Sequence, residues 1–113
     1  GSIIFTLQSH MYFACPGHLS IDGGSGVLFL VKDHRAMFSV GGPVDEGEAR
    51  LPYIDGCTDS MLLQPCIQGA PCLNHLHFPT GVTQTKHTHP SGRAGIVIRG
   101  RGICVFERHT ANE

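Results

Sequence analysis

His87 and His89 are the side chains of this sequence best suited to chemistry. Two residues apart on an extended strand, they would project from the same face. Imidazole nitrogens ligate divalent ions of Fe, Mn, Ni, Zn and Cu, and the sequence does not choose among these metals. The pair therefore predicts a divalent-metal site, and the alternative is two strand histidines that only make hydrogen bonds.

Two glycines frame this pair at fixed distances. Gly81 stands six positions before His87, and Gly100 stands eleven positions after His89. The segment resembles the first sequence motif of the cupin family, in which Gly is followed after five residues by His-x-His, then by Glu, then by Gly. The resemblance implies a jelly-roll β-barrel that holds a metal ion and a small organic substrate. Arg93 occupies the position of the family's Glu.

Arg93 changes the chemistry expected of such a site. A guanidinium stays charged and donates hydrogen bonds only, so it repels a cation unless an anion lies between them. It can instead hold a carboxylate through two parallel hydrogen bonds. Thr85 shares the face of the two histidines and is a second ligand-binding candidate. The alternative for Arg93 is an outward orientation at the rim.

His75 and His77 form a second His-x-His pair. If their strand pairs antiparallel with 82–89, either imidazole could supply a further metal ligand. The alternative is a solvent-facing pair, because Leu76 and Phe78 on or beside the same strand have the stronger need for burial.

A second segment also resembles a cupin motif, but it stands in an unusual place. Residues 11–22 contain Pro16 and Gly17 between apolar runs, with Ser20 where the family has a ligand histidine. In cupins this motif follows His-x-His, whereas here it precedes it. Either the chain is a permuted single barrel, or it is the middle of a longer two-barrel protein.

Short apolar runs separated by turns predict an all-β fold. The sequence contains 15 Gly and 7 Pro, and no run has a helical period over ten or more positions. We expect a single cupin-like jelly-roll domain over 1–113, in which strands of 1–44 complete those of 60–113 and 45–59 is a linker. The predicted strands are 2–15, 19–22, 27–31, 36–40, 51–54, 60–64, 72–78, 82–89, 94–99 and 103–106.

Composition argues against several classes of partner. Charged residues make up 15% of the 113 residues and the net charge is −1, so no basic surface for nucleic acid or an anionic membrane is expected. No apolar run approaches the roughly 20 residues that span a bilayer, and no signal peptide is recognisable. We expect no nucleotide or flavin cofactor.

Cysteine usage bears on the compartment. The five cysteines are odd in number and include no Cys-x-x-Cys pair. They predict reduced, buried thiols in the cytoplasm, and a disulfide between Cys66 and Cys72 is the alternative.

Two functions follow from the resemblance and from the departure at Arg93. The first is a metal-dependent oxygenase, isomerase or lyase acting on a small organic molecule. The second is a non-catalytic module that binds or senses a carboxylate at a degenerate metal site. A third possible function is that of an interaction domain, which dimerises through its exposed strands. Exposed edge strands and a permuted connection predict a homodimer.

Overall fold

Five short strands and one 3-10 turn are the regular elements of the computed structural model, which describes residues 1–107. The 3-10 turn is Ile54–Gly56. The strands are β1 (Tyr12–Ala14), β2 (Ser39–Gly41), β3 (Leu51–Pro52), β4 (Thr58–Leu63) and β5 (Leu73–His77).

The strands form two separate antiparallel sheets. β1 pairs with β2, with Phe13 opposite Val40. β3, β4 and β5 pair in chain order, with Ser60 of β4 opposite His75 of β5. Pro52 lies on the edge strand β3, where its missing N–H leaves no ladder bond unmade.

A tight turn joins β3 to β4. Asp55 and Gly56 have φ angles of 56° and 79°, and the Tyr53 N–H donates to the Cys57 carbonyl at 2.8 Å. Asp and Gly are the residue types that adopt this left-handed backbone most readily. The turn brings Asp55 to the end of the second sheet, where it contacts the histidine segment.

The core is small and lies where residues 44–50 cross β4. Among the described residues, the buried apolar side chains are Val44, Ala49 and Cys57. Two backbone N–H groups of residues 44–50 donate to side-chain hydroxyls of β4 instead of to backbone carbonyls. Thr58 Oγ1 accepts from the Ala49 N–H at 2.9 Å, and Ser60 Oγ accepts from the Arg50 N–H at 2.8 Å.

The jelly-roll prediction is wrong, although the fold is all-β in character. The five strands form one sheet of two strands and one of three strands, and no strand of one pairs with a strand of the other. Residues 1–107 contain no closed barrel. The strands of 1–44 therefore do not complete those of 60–106, and the permuted barrel does not form.

Several predicted strands are absent for the same physical reason. Residues 19–22, 27–31, 82–89, 94–99 and 103–106 form no strand, and most of their large apolar side chains are exposed, up to 89% at Leu30 and 94% at Ile103. An apolar run becomes a strand only when a neighbouring strand accepts its backbone hydrogen bonds and another layer covers its side chains. Neither condition is met for these runs.

The exposed surface is large for the mass of the chain. It measures 10148 Å², whereas a folded monomer of this mass exposes about 6,100 Å². The radius of gyration is 16.3 Å, against about 13 Å for a domain of this length. The homodimer stays a prediction, and sedimentation analysis would test whether a second copy covers this surface.

Two further sequence predictions concern membranes and thiols. No helical segment of the described part of the chain is long and apolar enough to cross a lipid bilayer. All five cysteines have free thiols, so Cys66 and Cys72 do not form a disulfide. Only Cys57 is fully buried, and Cys104 is exposed because its predicted strand does not form.

Candidate functional site

The candidate site lies on residues 85–93, a stretch of irregular backbone that follows the second sheet. Thr85 anchors its start. The carboxylate of Asp55 accepts hydrogen bonds from the Thr85 N–H at 2.6 Å and from the Thr85 hydroxyl at 2.7 Å. The turn between β3 and β4 therefore fixes where the histidine segment begins.

His87 and His89 bring their ring nitrogens together. The two Nε2 atoms are 3.0 Å apart, and the ring centroids are 4.8 Å apart at an interplanar angle of 81°. The edge-to-face arrangement directs both Nε2 atoms toward one region of space. The jelly-roll barrel that the resemblance implies for the metal ion does not form, and both side chains lie at the surface.

Hydrogen bonding determines the tautomer of each imidazole. The Thr85 carbonyl only accepts, so His87 Nδ1 donates to it at 2.8 Å and His87 Nε2 keeps a lone pair. Arg93 only donates, so His89 Nδ1 accepts from its guanidinium at 3.0 Å. The proton of neutral His89 then lies on Nε2 and is donated to His87 Nε2. The four residues form one directed chain from Arg93 through His89 and His87 to Thr85.

The surroundings of His89 favour its neutral form. Desolvation lowers the pKa of His89, and the positive charge of Arg93 and the electrostatic effect of His87 lower it further. A neutral imidazole is the form that ligates a metal ion. The same neighbours therefore favour the form of His89 that can ligate a metal and place a positive charge beside any ion it would hold.

The two imidazoles fit a divalent ion in distance but supply a partial ligand set. Nitrogens bound at about 2.1 Å and at right angles would be about 3.0 Å apart, which is the separation observed. Within residues 1–107, no three His, Cys, Asp or Glu side chains lie close enough to share an ion. The remaining coordination positions would fall to ligands from outside the protein. Coordination at His89 Nε2 also requires the proton there to move, and the bond from Arg93 opposes that.

An open cavity of about 320 Å³ adjoins the pair. His87 and His89 line one side, and Val105 and Phe106 supply an apolar wall. Lys86 and Glu107 form an ion pair at its edge. Sites for small molecules usually occupy about 300–1,000 Å³ and combine an apolar lining with a few polar groups, so the cavity is in the range for a small ligand.

The second histidine pair has a different role. His75 Nδ1 donates to the Glu46 carboxylate at 2.8 Å. His77 Nδ1 is buried and has no hydrogen-bond partner within the described residues. Since no three candidate ligands come together in residues 1–107, neither imidazole of β5 joins His87 and His89 in one metal site.

Glu46 is the centre of a second polar cluster, which ties residues 44–50 to the sheet. The hydrogen bond from His75 lowers the pKa of Glu46, desolvation opposes this, and Ser60 and the charge of Arg50 add to the lowering. Arg99 adds a link from the far end of the chain by donating to the Val44 carbonyl at 3.0 Å. These bonds hold the small core in place.

Sequence reasoning missed Asp55, Tyr53 and Glu46. Asp55-Gly56 is a recognisable turn signal, but nothing in the sequence indicates that its carboxylate reaches Thr85, thirty residues later. The Tyr53 ring meets the His87 ring edge-to-face at 6.4 Å, which is equally invisible in the sequence.

Comparison of the chain with protein-family models, with curated proteins and with solved structures finds no match.

Proposed function

We propose that the chain binds a small organic carboxylate together with a divalent metal ion at His87, His89 and Arg93. The observation that carries this proposal is the 3.0 Å approach of two imidazole Nε2 atoms at the wall of a ligand-sized cavity. Two imidazoles form half of a typical metal site, and the cavity leaves room for a ligand to complete it.

Arg93 gives the carboxylate a specific role. Its guanidinium lies 3.0 Å from His89 Nδ1 and would repel a cation held by the pair. A carboxylate placed against Arg93 neutralises this charge and competes for its N–H groups. His89 can then carry its proton on Nδ1 and offer Nε2 to the metal. The carboxylate and the metal therefore favour each other's binding.

The metal, when bound, supplies Lewis-acid chemistry at the ligand. His87 and His89 would hold it, Arg93 would orient the carboxylate from its position beside His89, and Val105 and Phe106 would contact the apolar part of the molecule. Turnover of such a ligand by an oxygenase, isomerase or lyase reaction stays a prediction.

Reciprocal calorimetric titrations test the proposal. Ni²⁺ is titrated in the absence of a carboxylate, then with succinate, then with the neutral analogue succinamide. We expect succinate to tighten Ni²⁺ binding by about tenfold, equivalent to about 1.4 kcal/mol, and succinamide to leave it unchanged. By linkage, Ni²⁺ should tighten succinate binding by the same factor after correction for the Ni²⁺–succinate complex in solution.

The double variant His87→Ala/His89→Ala is the control for metal binding elsewhere, because it keeps all five thiols. Equal Ni²⁺ binding by this variant and by the wild type would contradict the metal site. Binding of succinate that depends on Arg93 but ignores Ni²⁺ would support the second candidate, a carboxylate-binding module without metal chemistry. The partial ligand set within residues 1–107 is the observation that favours this second candidate.

A further inference from the structure

Asp55 holds Thr85 at two points. Its Oδ2 atom accepts from both the N–H and the hydroxyl of Thr85, at 2.6 and 2.7 Å. Hydrogen bonds to an ionised carboxylate are stronger than those between neutral groups. These two bonds join the turn that precedes β4 to the segment that carries the histidines.

Thr85 passes this restraint on to His87. While the N–H and hydroxyl of Thr85 bond to Asp55, its carbonyl accepts from His87 Nδ1 at 2.8 Å. That bond orients the ring and puts the His87 proton on Nδ1, which leaves Nε2 free to ligate. Buttressing of this kind commonly sets the tautomer of a metal-binding histidine.

The same turn contacts His87 from a second direction. The ring of Tyr53 meets the His87 ring at a centroid distance of 6.4 Å and an angle of 80°. Tyr53 and Asp55 are two residues apart on one turn, so a single element limits both the rotation of the imidazole and the position of the backbone beneath it.

The Asp55 side chain has the charge that this role requires. The hydrogen bonds from the backbone and the side chain of Thr85 lower the pKa of Asp55, desolvation opposes this, and the nearby His87 adds a smaller lowering. The group is therefore a carboxylate at neutral pH and accepts both bonds.

We infer that Asp55 is a positioning residue for the histidine pair, acting through Thr85 to set the tautomer and orientation of His87. Its consequence for metal binding rests on the proposed function, whereas its effect on the tautomer does not. Asp55 itself would not touch the metal or the carboxylate.

The experiment compares Asp55→Ala with Asp33→Ala. Asp33 is an exposed aspartate with a φ of 57°, close to the 56° of Asp55, so the pair of variants is matched for side chain and backbone conformation. In metal-free protein, ¹⁵N NMR of the imidazole nitrogens should show His87 chiefly as the Nδ1–H tautomer. Asp55→Ala should shift His87 toward a mixture of tautomers, and Asp33→Ala should not.

Ni²⁺ affinity is the second readout. Loss of a residue that orients a metal ligand typically costs about 10–100-fold in affinity, and we expect that range for Asp55→Ala. Thr85→Ser keeps the N–H, the hydroxyl and the carbonyl, so it should bind as the wild type does. Thr85→Val keeps only the backbone groups and should fall between the two.

The outcomes separate the two proposals. If wild type binds no Ni²⁺, the proposed function fails, but the tautomer of His87 still decides the role of Asp55. An unchanged His87 tautomer in Asp55→Ala would overturn the inference. A change in folding is recognised from the amide spectrum of β4 and β5, which a local effect on residues 85–87 would leave intact.

Discussion

The molecule contains two His-x-His pairs with identical spacing and different surroundings. His75 and His77 lie on β5, where both residues are partly buried and His75 bonds to Glu46. His87 and His89 lie on irregular backbone, where their Nε2 atoms approach to 3.0 Å in the open.

The difference shows that spacing alone does not bring two imidazoles together. Along a regular strand, residues i and i+2 are about 6.6 Å apart and their side chains stand roughly parallel. β5 therefore leaves each imidazole to its own neighbours, and His75 is held by Glu46. Residues 85–89 follow no such geometry. The bond that His87 donates to the Thr85 carbonyl and the bond that Arg93 donates to His89 turn the two rings toward each other.

The largest expected effect separates the two pairs directly. His89→Ala removes one of the two imidazoles proposed to hold the metal, so Ni²⁺ affinity should fall by about 100-fold or more, beyond the typical cost of losing a supporting residue. His77→Ala is the matched control and should leave the affinity within about twofold. Equal losses measured by calorimetry for both variants would remove the distinction between the pairs.

Arg93→Glu sharpens the comparison by changing the charge beside the exposed pair. The variant replaces a repelling cation with a potential ligand, and we expect Ni²⁺ to bind about tenfold more tightly, or about 1.4 kcal/mol. Strengthening of Ni²⁺ binding by succinate should disappear in the same titrations. Arg101→Glu makes the same charge change at an exposed arginine. Unchanged metal binding by Arg93→Glu would show that Arg93 does not face the pair.

Ser60→Ala tests whether the cluster around β5 is structural. Ser60 is 2% exposed and accepts from the Arg50 N–H, so its removal leaves a partly buried donor without a partner. The free energy of unfolding should fall by about 1–3 kcal/mol in urea titrations. Ser25→Ala, at an exposed position, should have no measurable effect. A loss of Ni²⁺ affinity in Ser60→Ala without a loss of stability would contradict the structural role.

The smallest expected effect is the pH dependence of the Glu46 contact. The pKa of Glu46 is below its ordinary value of 4.5 in the folded protein, so its contribution is complete above that pH. It is lost as the pH falls below 4.5 and through the lowered folded-state pKa. Urea midpoints of the wild type should therefore drop more steeply below that pH than those of Glu46→Gln. Parallel curves for the two proteins would show that the contact does not stabilise the fold.

All five observed strands overlap segments that the sequence predicts as strands. The predicted strands 60–64 and 72–78 overlap β4 and β5, whose side chains pair across one ladder. The equally apolar run 27–31 forms no strand, because no partner accepts its backbone bonds. Periodicity indicates a capacity to pair, whereas pairing depends on distant residues.

The same limit applies to the candidate site. The residue types and spacing of His87, His89 and Arg93 pointed to one cluster, and the structure places the three side chains in contact. The link from Asp55 to Thr85 spans thirty residues and depends on a left-handed turn, so only the folded chain reveals it. The cluster of neighbouring side chains could be predicted here, whereas the contact between Asp55 and Thr85 that positions it could not.

The small core also determines how stability responds to temperature. The heat capacity of unfolding grows with the apolar surface that folding removes from water, and this chain leaves most of its large apolar side chains exposed. We therefore expect its free energy of unfolding to show slight curvature with temperature, and its enthalpy of unfolding to change little as the chain is warmed. A flat stability curve of this kind has no sharp optimum temperature, and any partner that covers the exposed surface would restore the curvature along with the stability.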